Sequence, residues 1–219
     1  NKKKNPMYQR IWTMVYSFLM FILVRNAVQY ALLALLYQLA QSGASGGLVD
    51  LLILRDETGA YNGYSGDVSS IIAALGFIGG ALAVWSTAKL LITKNKEDMH
   101  LSHLKKEGKA KYALLVAVTI GAVIGFNLLF ELLGVTNKSE AYTEVASQQY
   151  SAHFMVGILV FGFISPIAEE LLFRGVIYGY LRRFMDIKLA IALSALIFGV
   201  YHMNYVQGVY GFLIGCLMA

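Results

Sequence analysis

In the stretch SPIAEELLFRG, residues 165–175, two adjacent carboxylates and an arginine follow a proline inside an otherwise apolar run. In water such a run would be ordinary. In hydrocarbon, each buried charge costs several kcal/mol unless it is paired or faces a water-filled cavity. The first question for the fold is therefore whether the segments around residues 165–175 lie in a membrane.

The composition is typical of a membrane protein. Of the 219 residues, 58% are hydrophobic and only 14% are charged, whereas a soluble domain carries about 25% charged residues. Apolar runs close to the length of a bilayer span recur along the whole chain. We therefore predict an all-α fold, a polytopic transmembrane helix bundle with at least six spans. The single cysteine, Cys216, excludes an intramolecular disulfide.

The basic residues predict how the chain is oriented in a cell membrane. The expected spans cover residues 11–39, 68–92, 112–133, 151–181 and 188–201, and a sixth begins near Tyr205. Lysines and arginines lie at the N-terminus, in the 94–111 loop and at Arg182-Arg183, which places all three on the cytoplasmic side. Because these basic residues occupy loops between spans, the net charge of +5 indicates membrane orientation and no nucleic-acid partner.

Three features outside the 165–175 stretch also carry predictions. Arg25 and Asn26 lie in the middle of the first span, so their face of the helix is expected to look inward. The glycine-rich stretch after that span is expected to be a loop, with a short interfacial helix at 48–54. Gly76 to Gly80 would allow close packing of the second span.

The chain begins with Asn and ends within an apolar run, so we expect a piece of a longer protein.

The charges of the 165–175 stretch divide into two sets by helix geometry. An α-helix turns about 100° per residue, so Glu169 and Glu170 cannot share a face. Glu170 and Arg174 are four residues apart and can pair along one face. Such a pair can also be purely structural. Glu169 is left pointing elsewhere, and a buried carboxylate of this kind is suited to general acid/base catalysis.

His202 is the next polar group at a comparable depth. Counted along ideal helices, Glu169 lies about 20 Å from Arg182 and His202 about 21 Å from Lys188. The two helices are consecutive and joined by a short basic turn, so they are expected to run antiparallel. An acid and a histidine on separate spans would then reach the same level of the membrane, as in a catalytic site.

These residues carry a resemblance to a known family. Glu169-Glu170-Leu171-Leu172-Phe173-Arg174 resembles the E-E-x-x-x-R motif of the CPBP intramembrane proteases, which include type II CAAX prenyl proteases and Abi or bacteriocin-immunity proteins. Phe198-Gly199-Val200-Tyr201-His202 is similar to the second motif, F-x-x-x-H, and residues 204–215 resemble bacterial members. The resemblance covers residues 151–219 as a partial catalytic domain and leaves 1–150 as N-terminal transmembrane helices and loops.

The resemblance implies an intramembrane endopeptidase that hydrolyses peptide bonds of membrane-associated or lipidated peptides. By family analogy, Glu169 activates water together with His202, and Glu170 and Arg174 form the supporting pair. The third family motif, a further histidine followed by asparagine on a later helix, does not occur before Ala219. The site in this chain is therefore expected to be incomplete and the chain as given inactive. The implied partners are a membrane-embedded peptide or protein substrate and the lipid bilayer.

Several alternatives stay open from the sequence. No cofactor is firmly implied. Zinc is not excluded, because glutamate and histidine bind it, although a catalytic zinc normally needs three protein ligands. The same residues would also suit a non-catalytic membrane scaffold or bacteriocin self-immunity protein, or a small proton-coupled transporter.

Other polar residues have simpler interpretations. Asp98, His100 and His103 are close enough in sequence for a metal site, but in a lysine-rich loop they are expected to form a solvated surface. His153 is expected at the membrane interface. Asn204 either donates to the substrate or oxyanion or caps a helix, and the sequence does not decide between these roles.

Overall fold

The computed structural model of the chain describes residues 7–98, 108–136 and 139–218, and side chains are described for most of them. These residues are mostly helical, which confirms the predicted fold class. The helices are α1 (Met7–Gln41), α2 (Leu48–Leu52), α3 (Gly66–Asp98), α4 (Lys109–Leu132), α5 (Glu140–Tyr150), α6 (Phe154–Leu181), α7 (Ile187–Tyr201) and α8 (Tyr205–Met218). The short helix expected at 48–54 is α2.

Four helices, α1, α3, α4 and α6, are long and apolar enough to cross a membrane. The sequence predicted at least six spans, the sixth beginning near Tyr205, and the two further apolar helices, α7 and α8, are shorter in the part of the chain described. Helix α7 has 15 residues, which is about 22 Å of helix against a hydrocarbon core of about 30 Å. Helix α8 is of similar length, with 14 residues. Large apolar side chains are exposed along the long helices, for example Leu82 on α3 and Leu132 on α4, as contact with lipid requires.

The helices belong to two compact units. One contains Val15–Ser86 and Ala146–Leu172, and the other contains Asn1–Met14, Thr87–Val145 and Phe173–Ala219. In the first unit, glycines bring α3 against α1: a Cβ at Gly80 would lie 2.9 Å from the Phe21 carbonyl oxygen, and one at Gly76 would lie 2.9 Å from that of Arg25. The predicted close packing at Gly76 to Gly80 is therefore confirmed.

A small antiparallel hairpin interrupts the otherwise helical chain between α2 and α3. Its strands are β1 (Leu54–Arg55) and β2 (Tyr61–Gly63), in the stretch that the sequence predicted to be loop. The Arg55 guanidinium donates to the carbonyl oxygens of Gly59 at 3.0 Å, Ala44 at 2.9 Å and Ala40 at 3.4 Å. Because Ala40 lies in the last turn of α1, Arg55 both closes the hairpin and satisfies the C-terminal end of that helix.

The hairpin turn is expected to loosen in acid because of Asp56. One carboxylate oxygen of Asp56 accepts from the Thr58 hydroxyl at 2.6 Å and from the backbone N–H groups of Thr58 and Ala60, each at 2.9 Å. The Thr58 hydroxyl, followed by the Ala60 N–H, lowers the pKa of Asp56 below its usual 3.8. Because the pKa of Asp56 is lower in the folded state, these hydrogen bonds stabilise the turn fully above the ordinary pKa. The stabilisation is lost as the pH falls through the pKa of the folded state.

Hydrogen-exchange protection at Thr58 and Ala60, corrected for intrinsic rates, should therefore fall below about pH 3.8. The variant Asp56→Asn should show no such step. Glu57→Gln is the matched control and should keep it, since Glu57 is an exposed neighbour. An identical step in Asp56→Asn would show that another group controls the turn.

Helix α6 is not a regular α-helix. Its α-helical segment Ser165–Glu170 is flanked by π-helical stretches at Ile158–Ile164 and Leu171–Tyr178. Pro166 lacks an N–H and its ring crowds the preceding turn, which accounts for the wider turn before it. The ideal α-helical geometry used for residues 165–175 therefore does not extend unchanged to Arg174, which lies in the second π stretch. Such stretches occur frequently at functional sites.

Candidate active site

Glu169 is the last residue but one of the α-helical segment Ser165–Glu170 of α6 and is half-buried. The buried Ser165, one turn earlier, points its hydroxyl at Glu169 Oε1, 3.4 Å away. Within the same unit, the positive charge of Arg25 on α1 acts electrostatically on Glu169. The carboxylate therefore has a hydroxyl group and a cation near it, inside an apolar helix.

Arg25 is half-buried and its guanidinium carbon lies 4.1 Å from the centre of the Phe77 ring on α3. The prediction that this face of α1 looks inward is confirmed for Arg25. Asn26, the next residue, is exposed, because consecutive helical residues point about 100° apart.

Arg174 belongs to the other unit, together with α7 and α8. Its guanidinium donates to the Gly215 carbonyl oxygen of α8 at 3.1 Å and lies over the Phe198 ring of α7, 5.5 Å from its centre. Sequence reasoning missed both partners, because neither is near Arg174 along the chain. The pairing of Glu170 with Arg174 joins the two units and stays a prediction.

His202 occupies the C-terminal cap of α7. Its Nδ1 lies 2.9 Å from the carbonyl oxygen of Phe198. A carbonyl oxygen only accepts, so Nδ1 carries the proton and the lone pair of the ring is on Nε2. One helical turn thus brings the Phe198 carbonyl to the imidazole and sets the tautomer of the neutral ring.

Aromatic rings hold the imidazole in place. The His202 ring makes edge contacts with Phe198 at 4.9 Å and with Tyr201 at 5.5 Å between centres. The fully buried Phe173 of α6 packs against both of these rings, and its carbonyl oxygen accepts from Ser194 at 3.3 Å. Phe198 therefore contacts both Arg174 and His202, and it brings these two predicted site residues together. The predicted meeting of Glu169 and His202 involves both units and stays a prediction.

Asn204 is a helix cap. Its Oδ1 accepts from the Gln207 backbone N–H at 2.8 Å, the N3 position of α8. Its amide nitrogen donates to Gln207 Oε1 at 2.6 Å and to the His202 carbonyl oxygen at 3.1 Å. Both amide protons are thus engaged, which decides between the two roles that the sequence left open. The Asn-x-x-Gln spacing resembles a capping box and was the signal for it.

Glycines bring α8 directly against α7 beside His202. A Cβ at Gly199 would lie 2.5 Å from the Gly208 carbonyl oxygen, a backbone atom that cannot rotate away. A Cβ at Gly215 would lie 3.0 Å from that of Ala195. The two helices can approach this closely only where both carry a small residue.

Gly199→Ala is expected to lower the unfolding free energy by about 1–3 kcal/mol, because the added methyl forces the two backbones apart. Thermal unfolding in detergent measures the change. Gly121→Ala on α4 is the matched control: no atom lies within 4 Å of its Cβ position, so this change should be neutral or slightly stabilising. Equal midpoints for the two variants would contradict the close crossing.

Asp98, His100 and His103 lie outside the residues whose side chains are described. Among the side chains that are described, no three His, Cys, Asp or Glu residues lie close enough together to bind one metal ion.

His153 is exposed, as expected at an interface. Sequence reasoning missed its partner: Nδ1 lies 2.5 Å from Asp67 Oδ2, and the His153 N–H donates to Oδ1 at 2.7 Å.

An apolar groove of about 570 Å³ runs between α7 and α8 near their connecting turn. Leu196 and Val200 line it from α7, and Tyr205 and Val209 line it from α8. Asn204 lies at the end of the groove, so its capping hydrogen bonds help to shape that end.

Part of the chain matches the model of a known protein family. Residues 151–219 match the family model described as type II CAAX prenyl endopeptidase Rce1-like. No curated protein and no solved structure matches the chain significantly. The matched residues include Glu169, Glu170, Arg174 and His202, and the resemblance found in the sequence is thereby confirmed. At residues 151–219 the chain carries a domain of the Rce1-like type II CAAX endopeptidase family, a family of intramembrane proteases.

Proposed function

We propose that this chain supplies part of a site that hydrolyses peptide bonds within the membrane, with Glu169 as the general base and His202 as its partner. The observation that supports this most directly is the tautomer of His202. With Nδ1 bound to the Phe198 carbonyl oxygen, Nε2 carries the lone pair that a hydrogen-bond acceptor or base needs. The family match over the same residues adds to this support.

The proposed reaction needs one water molecule and no covalent intermediate. Glu169 takes a proton from the water, whose oxygen attacks the peptide carbonyl carbon. His202 Nε2 accepts a hydrogen bond from the same water and so orients it. The C–N bond then breaks, and the proton held by Glu169 passes to the leaving nitrogen, which gives a new carboxylic acid and a new amine. Glu170 and Arg174 would support the site as an ion pair, while Arg174 is also bonded to Gly215.

The proposed substrates are membrane-associated or lipidated peptides. The four helices that are long and apolar enough to cross a membrane support this choice, and so does the almost entirely apolar lining of the groove between α7 and α8. An extended peptide with apolar side chains or a lipid group suits such a surface. By the distribution of basic residues, the N-terminus, the 94–111 loop and Arg182-Arg183 would face the cytoplasm.

The test is cleavage by the full-length protein that contains this chain, reconstituted in liposomes. The peptides offered should carry a membrane-embedded segment, with and without a prenyl group, and mass spectrometry should identify the products. We expect discrete cleavage that depends on Glu169. A run with a strong zinc chelator shows whether the reaction needs a metal.

Other results would point elsewhere. A scaffold would give no products and would keep its biological activity in Glu169→Gln. A transporter would give a proton-coupled flux that Glu169→Gln removes. Absence of cleavage with every peptide offered would overturn the proposal.

A further inference from the structure

Arg25 is a cation in the middle of a membrane-spanning helix, and it lies outside the matched residues 151–219. It is about 21 Å along the helix from Ile11 and about 24 Å from Gln41. Neither end of α1 is within easy reach of its guanidinium. A charge at this depth is costly unless protein groups compensate it. Arginine at such a position is therefore a sign of a specific partner.

The surroundings of Arg25 fix its guanidinium on the inner side of α1. The guanidinium lies over the Phe77 ring, and Phe77 is only 5% exposed. The missing side chain of Gly76 allows α3 to approach: a Cβ there would lie 2.6 Å from Gln29 Cγ and 2.9 Å from the Arg25 carbonyl oxygen. Packing thus restricts the arginine, and its charge is held at one place rather than spread over many rotamers.

The charges around Glu169 show what this cation can do. Glu169 and Glu170 are adjacent and repel each other, and both are half-buried. The sequence motif offers one arginine, Arg174, for two carboxylates. Arg25 supplies a second cation, in the same unit as both glutamates, and its charge attracts Glu169.

We propose that Arg25 is a positioning residue for Glu169, supplied to the catalytic site by the first helix. It orients the carboxylate towards the water and stabilises its charge. The proposal rests on the function proposed above, because it assigns Arg25 to the general base of that reaction. It also gives the N-terminal part of the chain a role in catalysis that the family domain alone does not contain.

The kinetic test compares Arg25→Gln and Arg25→Lys with Asn26→Ala in the reconstituted full-length protein. Arg25→Gln is expected to lower kcat at least about tenfold, with KM changed less than about twofold, since Arg25 acts on the base and not on the substrate. Arg25→Lys keeps the charge and should recover part of the rate. Asn26→Ala is the matched control on the exposed neighbour and should leave both constants unchanged.

A second readout does not depend on activity. Removing Arg25 alone leaves the carboxylates of Glu169 and Glu170 undercompensated, so Arg25→Gln should lower the thermal midpoint. The double variant Arg25→Gln with Glu169→Gln removes both opposite charges and should recover much of that loss. A role limited to packing on Phe77 would give no recovery.

The outcomes separate the two proposals. If the full-length protein cleaves no peptide, or if Glu169→Gln still cleaves, the proposed function fails and the role of Arg25 fails with it. If cleavage needs Glu169 but Arg25→Gln keeps its kcat, only the inference about Arg25 is overturned. Failure of the double variant to regain stability would likewise overturn it while leaving the proposed function intact.

Discussion

Glu169→Gln is expected to lower the rate of peptide cleavage by about 10³-fold, which is within the range that general acid/base catalysis contributes. Glutamine has nearly the same shape as glutamate, and its amide oxygen can still accept from Ser165, 3.4 Å away in the wild type. The amide cannot take a proton from water at neutral pH. The expected loss is therefore chemical and not a consequence of misfolding.

Single-turnover cleavage in liposomes is the appropriate measurement, because it isolates the chemical step from substrate entry and product release. Glu131→Gln is the matched control. Glu131 is also a carboxylate on an apolar helix, but it is exposed on α4, and its removal should leave the rate within about twofold of wild type. Wild-type cleavage by Glu169→Gln would remove Glu169 from the reaction and end the proposed mechanism.

His202→Ala is expected to have an effect of similar size, between about 10² and 10⁴-fold on the same rate. The change removes the Nε2 lone pair that would orient the water. It also removes the ring that packs against Phe198 and Tyr201. Because this packing contributes to stability, the rate must be compared at equal amounts of folded protein, as judged by the thermal midpoint.

Two further variants separate the chemistry of His202 from its packing. His202→Phe keeps an aromatic ring at the cap of α7 but has no nitrogen, and it should be as slow as His202→Ala. His153→Ala removes an exposed histidine that is bonded to Asp67, and it should cleave at the wild-type rate. Substantial activity in His202→Phe would mean that the ring matters only for packing.

The features that could be predicted from the sequence depend on residues that are close together along the chain. The helical spans follow from the length and hydropathy of their segments, and a residue's membrane depth follows from its distance along a helix. The E-E-x-x-x-R and F-x-x-x-H motifs likewise depend on contacts within one or two turns. The capping role of Asn204 was within reach for the same reason, since Gln207 is three residues away.

Other features could not be predicted because distant residues decide them. The hairpin at 54–63 is stabilised by Arg55 reaching back to Ala40 and Ala44. Arg174 finds Gly215 on α8, and no periodicity links these two positions. The second π stretch of α6 contains Phe173, whose ring and carbonyl oxygen contact α7, so packing overrides the regular helix there.

The sequence by itself determined the helical membrane fold, the order of its apolar segments and the four candidate residues Glu169, Glu170, Arg174 and His202, because hydrophobicity and short motifs are local properties of a chain. The tertiary structure alone decided which groups surround them. It placed Phe198 between Arg174 and His202, set the tautomer of His202 and put Arg25 of the first helix in the same unit as Glu169. A charge in an apolar interior needs compensation from whichever segment packs against it, and only folding selects that segment.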